Sequence, residues 1–249
     1  MTAPGWAAQF FRGEIFTPDE PAARAQAPAE ARFALRALGL APGGRLLDVC
    51  CGSGRHALLF AKRGILVTGV DVTPEYLRIA KRRAGSRRNP SFVLGDMRRL
   101  PFRGEFDAAV NLWTSFGYFA SPADDLRALR SIARALKPGG RLLIDVINPA
   151  WLRANFQARQ WRPGPRGSIV CEEARLLAGR DPRVESVWTV ARPGLKWASA
   201  PMMVRLYDER RLSRALMDAG FAIAKRWGGL DGRTLSEQSS RLVVLARKR

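Results

Sequence analysis

From Arg45 onward the chain alternates short apolar runs with stretches of helical periodicity. The runs are Leu46–Cys50, Ile65–Val70, Ser91–Leu94, Phe106–Leu112 and Leu142–Ile147. They are rich in Val, Leu and Ile and largely lack polar alternation, as strands buried on both faces do. This predicts a parallel sheet covered by helices. Thr73-Pro74 suits an N-cap with proline at the first helical position. Ser121-Pro122-Ala123-Asp124 repeats that arrangement, with an acid at the capping-box position. Leu126, Leu129, Ile132, Ala133 and Leu136 then share one helical face. Pro138-Gly139-Gly140 is expected to end that helix and turn the chain into the next strand. Repeated β-α-β units predict an α/β, doubly wound fold.

After Asn148 the rhythm changes. Residues 149–167 read as irregular and rich in Pro, Arg and Trp. Three strands follow, Ile169–Leu176, Val184–Ala191 and Lys196–Tyr207, joined by Ala178-Gly179-Arg180-Asp181 and Arg192-Pro193-Gly194, which are turn chemistry. This block reads as an antiparallel insertion. The core pattern resumes with a helix from Asp208 to Ala219 and strands at Phe221–Trp227 and Arg241–Ala246. The first 35 residues suit one or two helices over the top. The expected organisation is one domain over 1–249: a helical cap at 1–38, a core at 39–148, the insertion at 149–207 and the return to the core at 208–249.

The segment with the most chemistry runs Leu47-Asp48-Val49-Cys50-Cys51-Gly52-Ser53-Gly54-Arg55-His56-Ala57. A buried strand enters a glycine turn and then a helix. Glycines let a ligand approach the backbone, and the helix start offers free N–H groups. Gly52-x-Gly54-x-x-Ala57 also fits a dinucleotide fingerprint. Asp48, however, would repel a pyrophosphate and could meet an ammonium group. Asp71, at the end of the next strand, is placed for ribose hydroxyls, as it would be in a dinucleotide enzyme, or for helping to cap the following helix. Asp96, after the third strand, can accept from an adenine amine.

With Asn111 closing the fourth strand and Pro138-Gly139-Gly140 following the next helix, the order and spacing over residues 40–148 resemble the class I S-adenosylmethionine-dependent methyltransferases. The resemblance implies a seven-stranded sheet with its last strand antiparallel and S-adenosylmethionine as methyl donor; no metal is expected. It implies that the turn from Cys50 through Gly52 and Gly54 contacts the methionine moiety, with Asp48 near its amino group. Asp71 would hold the ribose, Val72 would pack on adenine, Asp96 and Met97 would bind the ring, and Asn111 would sit beneath the sulfonium. Asn111 to Phe119 and the ending Gly228-Gly229-Leu230-Asp231-Gly232…Ser239-Ser240-Arg241-Leu242 look like a narrower group that includes small-molecule N-methyltransferases acting on amino sugars. There the insertion and the N-terminal helices cover the acceptor site.

A sulfonium methyl is already activated, so orientation and exclusion of water carry most of the task; proximity alone supplies roughly 7–11 kcal/mol. A base is needed only where the acceptor must lose a proton. His56 and Tyr118 are the candidate catalytic groups. His56 could equally pack against the N-terminal segment. Phe16, Ser115 and Phe116 join these two as pocket candidates; Phe116 and Phe119 suit core as well as wall. Phe10, Phe11 and Phe16 suit either a lid or helix docking.

The formal charge of +20 comes from 36 Arg and 6 Lys against 22 acids. It fits a nucleic-acid partner, with Arg78, Lys81, Arg82, Arg83, Arg87 and Arg88 clustered near Arg98, Arg99 and Arg103. It also fits GC-rich codon usage, and that reading is favoured. An RNA methyltransferase is the first alternative, although the Asn/Asp-Pro-Pro-aromatic signature of base-amine methylation is missing. A non-catalytic SAM-binding protein is the second. An NAD dehydrogenase is the weakest, lacking a hydride-relay pair. Cys50, Cys51 and Cys171 suit neither a disulfide framework nor zinc spacing, and a single His argues against a His-built metal site. No apolar run spans a bilayer. A cytoplasmic protein, monomeric or homodimeric, with a small-molecule acceptor and no membrane partner is expected.

Overall fold

A computed structural model describes residues 10, 11, 15, 16, 21–164, 167–192, 194 and 197–249. The long helix α1 (Pro21–Leu38) precedes the alternating core. There β1 (Arg45–Val49), α2 (Arg55–Ala61), β2 (Leu66–Asp71), α3 (Pro74–Ala84), β3 (Ser91–Leu94), β4 (Phe106–Asn111), α4 (Pro122–Ala135) and β5 (Leu136–Ile147) follow in turn. A short helix α5 (Pro149–Ala154) leads to β6 (Arg159–Pro163), β7 (Ile169–Leu177), β8 (Arg183–Ala191) and β9 (Ala198–Arg205). Then α6 (Glu209–Asp218), β10 (Phe221–Trp227) and β11 (Arg241–Lys248) complete the chain.

Seven strands form one sheet in the order β10-β11-β5-β4-β1-β2-β3. Strand β11 runs antiparallel to both neighbours, and the β1–β2, β2–β3, β1–β4 and β4–β5 pairs are parallel. Alternation along each strand feeds two cores. Leu46, Val67, Ala108, Val110 and Leu143 face α1, α2 and α3. Leu47, Val49, Ala109, Leu142 and Ile144 face α4 and α6. Both faces being covered explains why the strands read as near-continuous apolar runs. The strand order reverses between β1 and β4, and ligands bind at the carboxyl ends of strands flanking such a reversal.

The insertion differs from expectation. It is a sheet of four antiparallel strands, β6-β7-β8-β9, and residues 149–167 are not irregular throughout. Asn148 accepts the Ala150 N–H and Pro149 begins α5, a cap-plus-proline start like the others. Strand β6 is an edge whose residues are largely solvent-exposed, so no apolar alternation marked it. The expected start of the last insertion strand at Lys196 lies outside the described residues, as does Pro193 of the preceding turn.

Two local expectations are corrected. Helix α4 ends at Ala135, and Pro138-Gly139-Gly140 lies inside β5, not at a helix end. The segment forms an irregularity between the pairs Phe106↔Leu136 and Ala108↔Arg141. Gly139 takes φ 73 there, a conformation glycine adopts without a Cβ clash. At α3 the Thr73 side chain makes no cap bond; Asp71 accepts the Thr73 N–H at 2.9 Å instead. Ser121 does cap α4, accepting from the Ala123 N–H. Asp124 is drawn to Arg98 and Arg127.

The insertion is fastened to the core by buried charge. Arg205 of β9 donates to Asp125 and Asp181 and to the carbonyls of Phe119 and Ala120. Tyr207 Oη donates to Asp125 at 2.8 Å. The Arg205 N–H also reaches the Gly117 carbonyl at 2.8 Å. Gly117 has φ 97, and a Cβ there would lie 2.6 Å from the Arg205 carbonyl oxygen, so only glycine fits.

Candidate active site

The carboxyl ends of β1, β2, β3 and β4 bring the glycine turn, Asp48, Asp71, Asp96 and Asn111 to one edge of the sheet. Cys50 (φ 61), Gly52 (φ 54) and Gly54 (φ 77) all take left-handed backbone. Gly54 starts α2, and a Cβ on it would meet the Phe92 ring at 2.9 Å. Asp71 holds this turn, accepting the Gly52 N–H at 2.8 Å and the Thr73 N–H at 2.9 Å. Burial pushes its carboxyl up, and those bonds partly offset the effect.

Asp48 is 4% exposed, and one of its oxygens, Oδ2, has no partner. Burial, then the charge of Asp71, pushes its pKa up to about 7. An orphaned carboxylate oxygen in such a place is a strong attractor for a cation. Asn111 is fully buried; its Nδ2 donates to the Val49 carbonyl at 3.1 Å, and its Oδ1 is unpartnered. Val72 is 61% exposed, an apolar side chain open to a flat ligand. Met97 is buried and its sulfur lies 3.7 Å from Cys50 Sγ. Asp96 caps the short turn at Met97–Arg99, and Arg98 engages both its oxygens. Burial raises the Asp96 carboxyl, but the Arg98 hydrogen bonds outweigh this and hold it below the usual range.

Ser115 Oγ donates to the Leu112 carbonyl at 2.7 Å, closing the turn after β4. Tyr118 faces the insertion, 5.6 Å from the Phe11 ring, and burial pushes its hydroxyl up to about 12. Phe10 packs on Trp188 at 5.2 Å and Phe16 lies 6.1 Å from the same ring. Tyr76 of α3 donates to the Phe16 carbonyl at 2.9 Å. The N-terminal aromatics thus join the insertion sheet to α3. A groove of about 720 Å³ between Pro122, Leu126, Tyr207, Arg210 and Arg211 shares no residue with this site.

Two expected pocket residues are placed elsewhere. Phe116 is core, 1% exposed, its ring 4.9 Å from Tyr207. His56 is buried, with Nε2 2.7 Å from Glu30 of α1. Burial pushes the imidazole down, while its bond and that of Trp113 outweigh burial and hold Glu30 down. A neutral ring therefore donates Nε2–H to a carboxylate, and His56 is occupied as a packing and docking group.

Residues 46–140 match the methyltransferase domain family. A dTDP-3-amino-3,4,6-trideoxy-α-D-glucopyranose N,N-dimethyltransferase of Streptomyces venezuelae is 30% identical over 76% of this chain and 80% of its own. The chain belongs to the class I S-adenosylmethionine-dependent methyltransferases. A putative methyltransferase of Bacillus subtilis is 38% identical, but the match spans 41% of this chain and only 42% of that relative. Among solved structures, the CcbJ methyltransferase of Streptomyces caelestis superposes with TM-score 0.78 at 18% identity, over 98% of this chain and 97% of its own. The SAM-bound amino pentose methyltransferase CalS10 of Micromonospora echinaspora gives 0.65 at 25% identity, over 100% and 98%.

The residues present fit the methyl donor of this methyltransferase. Asp48 Oδ2 and Asn111 Oδ1 are buried acceptors without partners, and the donor carries an ammonium and a sulfonium. Bound, it supplies a methyl group on a positively charged sulfur. Sequence reading gave no role to Glu30 or Asp145, and met Trp113 and Arg241 only within longer segments. Asp145 was the one with a signal: an acid inside the apolar run Leu142–Ile147.

Proposed function

We propose that the enzyme transfers the methyl group of S-adenosylmethionine to a nitrogen or oxygen of a small-molecule acceptor, with an amino sugar as the first class to test. One observation carries the reading. The inner face of the insertion sheet, with Val170, Val190, Ala200 and Trp188, closes with Phe10, Phe11 and Phe16 on Tyr118 in the loop after β4. A roof this enclosed and aromatic favours a compact acceptor over a polymer. The relative from Streptomyces venezuelae supports the same class. In this reading Asp48 takes the ammonium, Asp71 the ribose, and Val72, Asp96 and Met97 the adenine. Asn111 lies at the sulfonium, and Ser115 and Tyr118 orient the acceptor. Tyr118 stays protonated at neutral pH, so it positions through its hydroxyl and does not take a proton. The protein would act in the cytoplasm.

The nucleic-acid alternative loses part of its surface. Arg83 is bound to Ser53, Arg78 pairs with Glu75, and Arg98 with Asp96 and Asp124.

The deciding experiment supplies methyl-labelled S-adenosylmethionine with dTDP-amino sugars and, separately, a fractionated bacterial extract. Label in an amino sugar or another small molecule is the expected outcome. Label confined to ribonuclease-sensitive material would replace this reading with the RNA one. Asp71→Ala is expected to weaken S-adenosylhomocysteine binding at least tenfold by calorimetry, since charge-assisted hydrogen bonds contribute roughly 1.5–3 kcal/mol each. A folded variant with unchanged affinity would remove the ribose assignment.

A further inference from the structure

Trp113 and Thr114, directly after β4, take φ 60 and 53. Bulky and β-branched residues rarely adopt this conformation, and where they do the surroundings must impose it. Here the surroundings are identifiable. Asp145, fully buried in β5, accepts the Trp113 N–H at 2.8 Å through Oδ2, and its carbonyl accepts the Thr114 N–H at 3.0 Å. Arg241 of β11 fixes that carboxylate with two bonds, 2.8 and 2.7 Å. At its other end the Trp113 indole donates Nε1–H to Glu30 of α1, at 3.1 and 3.0 Å from the two oxygens. Glu30 is also the partner of His56, and the Arg55 guanidinium lies over the indole at 4.4 Å. Arg55 and His56 form the first turn of α2, immediately after the Gly52–Gly54 turn.

Three elements therefore meet on one residue. The backbone of Trp113 is held by the sheet, its indole by α1, and its ring face by the helix that starts at the donor turn. Beyond it runs the loop carrying Ser115 and Tyr118.

We infer that Trp113, held by Glu30 and by the Asp145–Arg241 pair, is a positioning residue that sets the loop of residues 113–119 against the methyl donor. Trp113 touches no reacting atom in this scheme. The inference rests on the proposed reading that this loop meets the acceptor. It gives His56 a defined part, which is to hold the Glu30 carboxylate in line with the indole. It also gives Arg241, in the C-terminal segment singled out in the sequence, a role at the site.

The test uses the full chain and the variants Trp113→Phe, Glu30→Ala and Glu30→Gln. Phe keeps a ring under Arg55 and removes the indole N–H. Gln keeps an oxygen for the indole and a polar partner for His56. Amide hydrogen exchange is followed across residues 112–119, S-adenosylhomocysteine affinity is measured by calorimetry, and kcat and KM are measured with dTDP-amino sugar acceptors. Trp113→Phe and Glu30→Ala are each expected to speed exchange in this loop about tenfold and to lower kcat about tenfold, the size of one lost charge-assisted hydrogen bond. S-adenosylhomocysteine affinity should change less than about threefold, because the donor contacts lie on other residues. Glu30→Gln should recover most of both losses. The inference is overturned if exchange in 112–119 is unchanged, if Glu30→Gln behaves as Glu30→Ala, or if exchange rises evenly through the fold with a fall in Tm. Absence of amino-sugar turnover by the wild-type enzyme would count against the proposed acceptor class alone. The exchange and affinity measurements would still decide the role of Trp113.

Discussion

Replacing Asp48 by Asn is expected to raise the Tm of the ligand-free enzyme while weakening S-adenosylhomocysteine binding at least tenfold. The two effects share one cause. Asp48 is buried with an unpartnered oxygen, and its pKa stands at about 7 against an ordinary 3.8. The folded protein therefore binds a proton there that the unfolded chain has already released. Stability from this group is full below the unfolded value and is lost as pH rises towards 7, by an amount on the order of a few kcal/mol. Asn does not ionise, so it removes that loss. The ligand ammonium reverses the balance: it favours the carboxylate and gives Oδ2 a partner. Wild-type affinity should therefore climb as pH rises from 5 to 8, and the Asn variant should lose most of that slope. Thermal melts and calorimetry at both pH values check this. A Tm gain of equal size at pH 5 and pH 8, or undiminished affinity in the variant, would show that Asp48 stores no such energy for the ligand.

The same residue shows what the sequence could and could not disclose. Asp48 was legible as an unusual position because it is an acid in an apolar strand just before glycines. The strands flanking it were legible because burial on both faces makes them uniformly apolar. Asp145 carries the same signal, yet its role depends on Arg241, 96 residues away, and on the left-handed turn at Trp113. No local pattern encodes that meeting. Glu30 was hidden for a related reason: in helix α1 it looks like a solvent-facing acid, and only the packing of α1 on α2 buries it beside His56. Strand β6 was missed because an exposed edge strand needs no alternation. The Pro138-Gly139-Gly140 segment misled because the residues that end a helix also make a bulge in a strand.

Arg205→Leu is expected to lower the Tm by roughly 10 °C, since breaking one side of a buried ion pair costs about 3–5 kcal/mol and each kcal/mol moves a chain of this size about 2–4 °C. Arg205 is almost fully enclosed and so is Asp125. Removing the guanidinium leaves the Asp125 carboxylate with only the Tyr207 hydroxyl, its Oδ1 being unpartnered already. Burial already pushes this carboxyl up, more than the charge of Arg205 pulls it down. Without Arg205 it should protonate more readily still, so the variant should lose most stability at high pH and least in acid. The double variant Arg205→Leu with Asp125→Leu removes the stranded charge and should recover much of the Tm. Activity should not return with it. The Phe119 carbonyl would still lack its donor, and of the hydrogen bonds that fasten the loop bearing Tyr118 to the insertion, those from Arg183 to the Ala120 carbonyl and from the residue 205 N–H to the Gly117 carbonyl would remain. Melting curves and turnover of the two variants separate these contributions. Full recovery of both in the double variant would mean that the cluster serves stability alone, and that the loop of residues 113–119 is held in place by Trp113 and its partners without help from the Arg205 cluster.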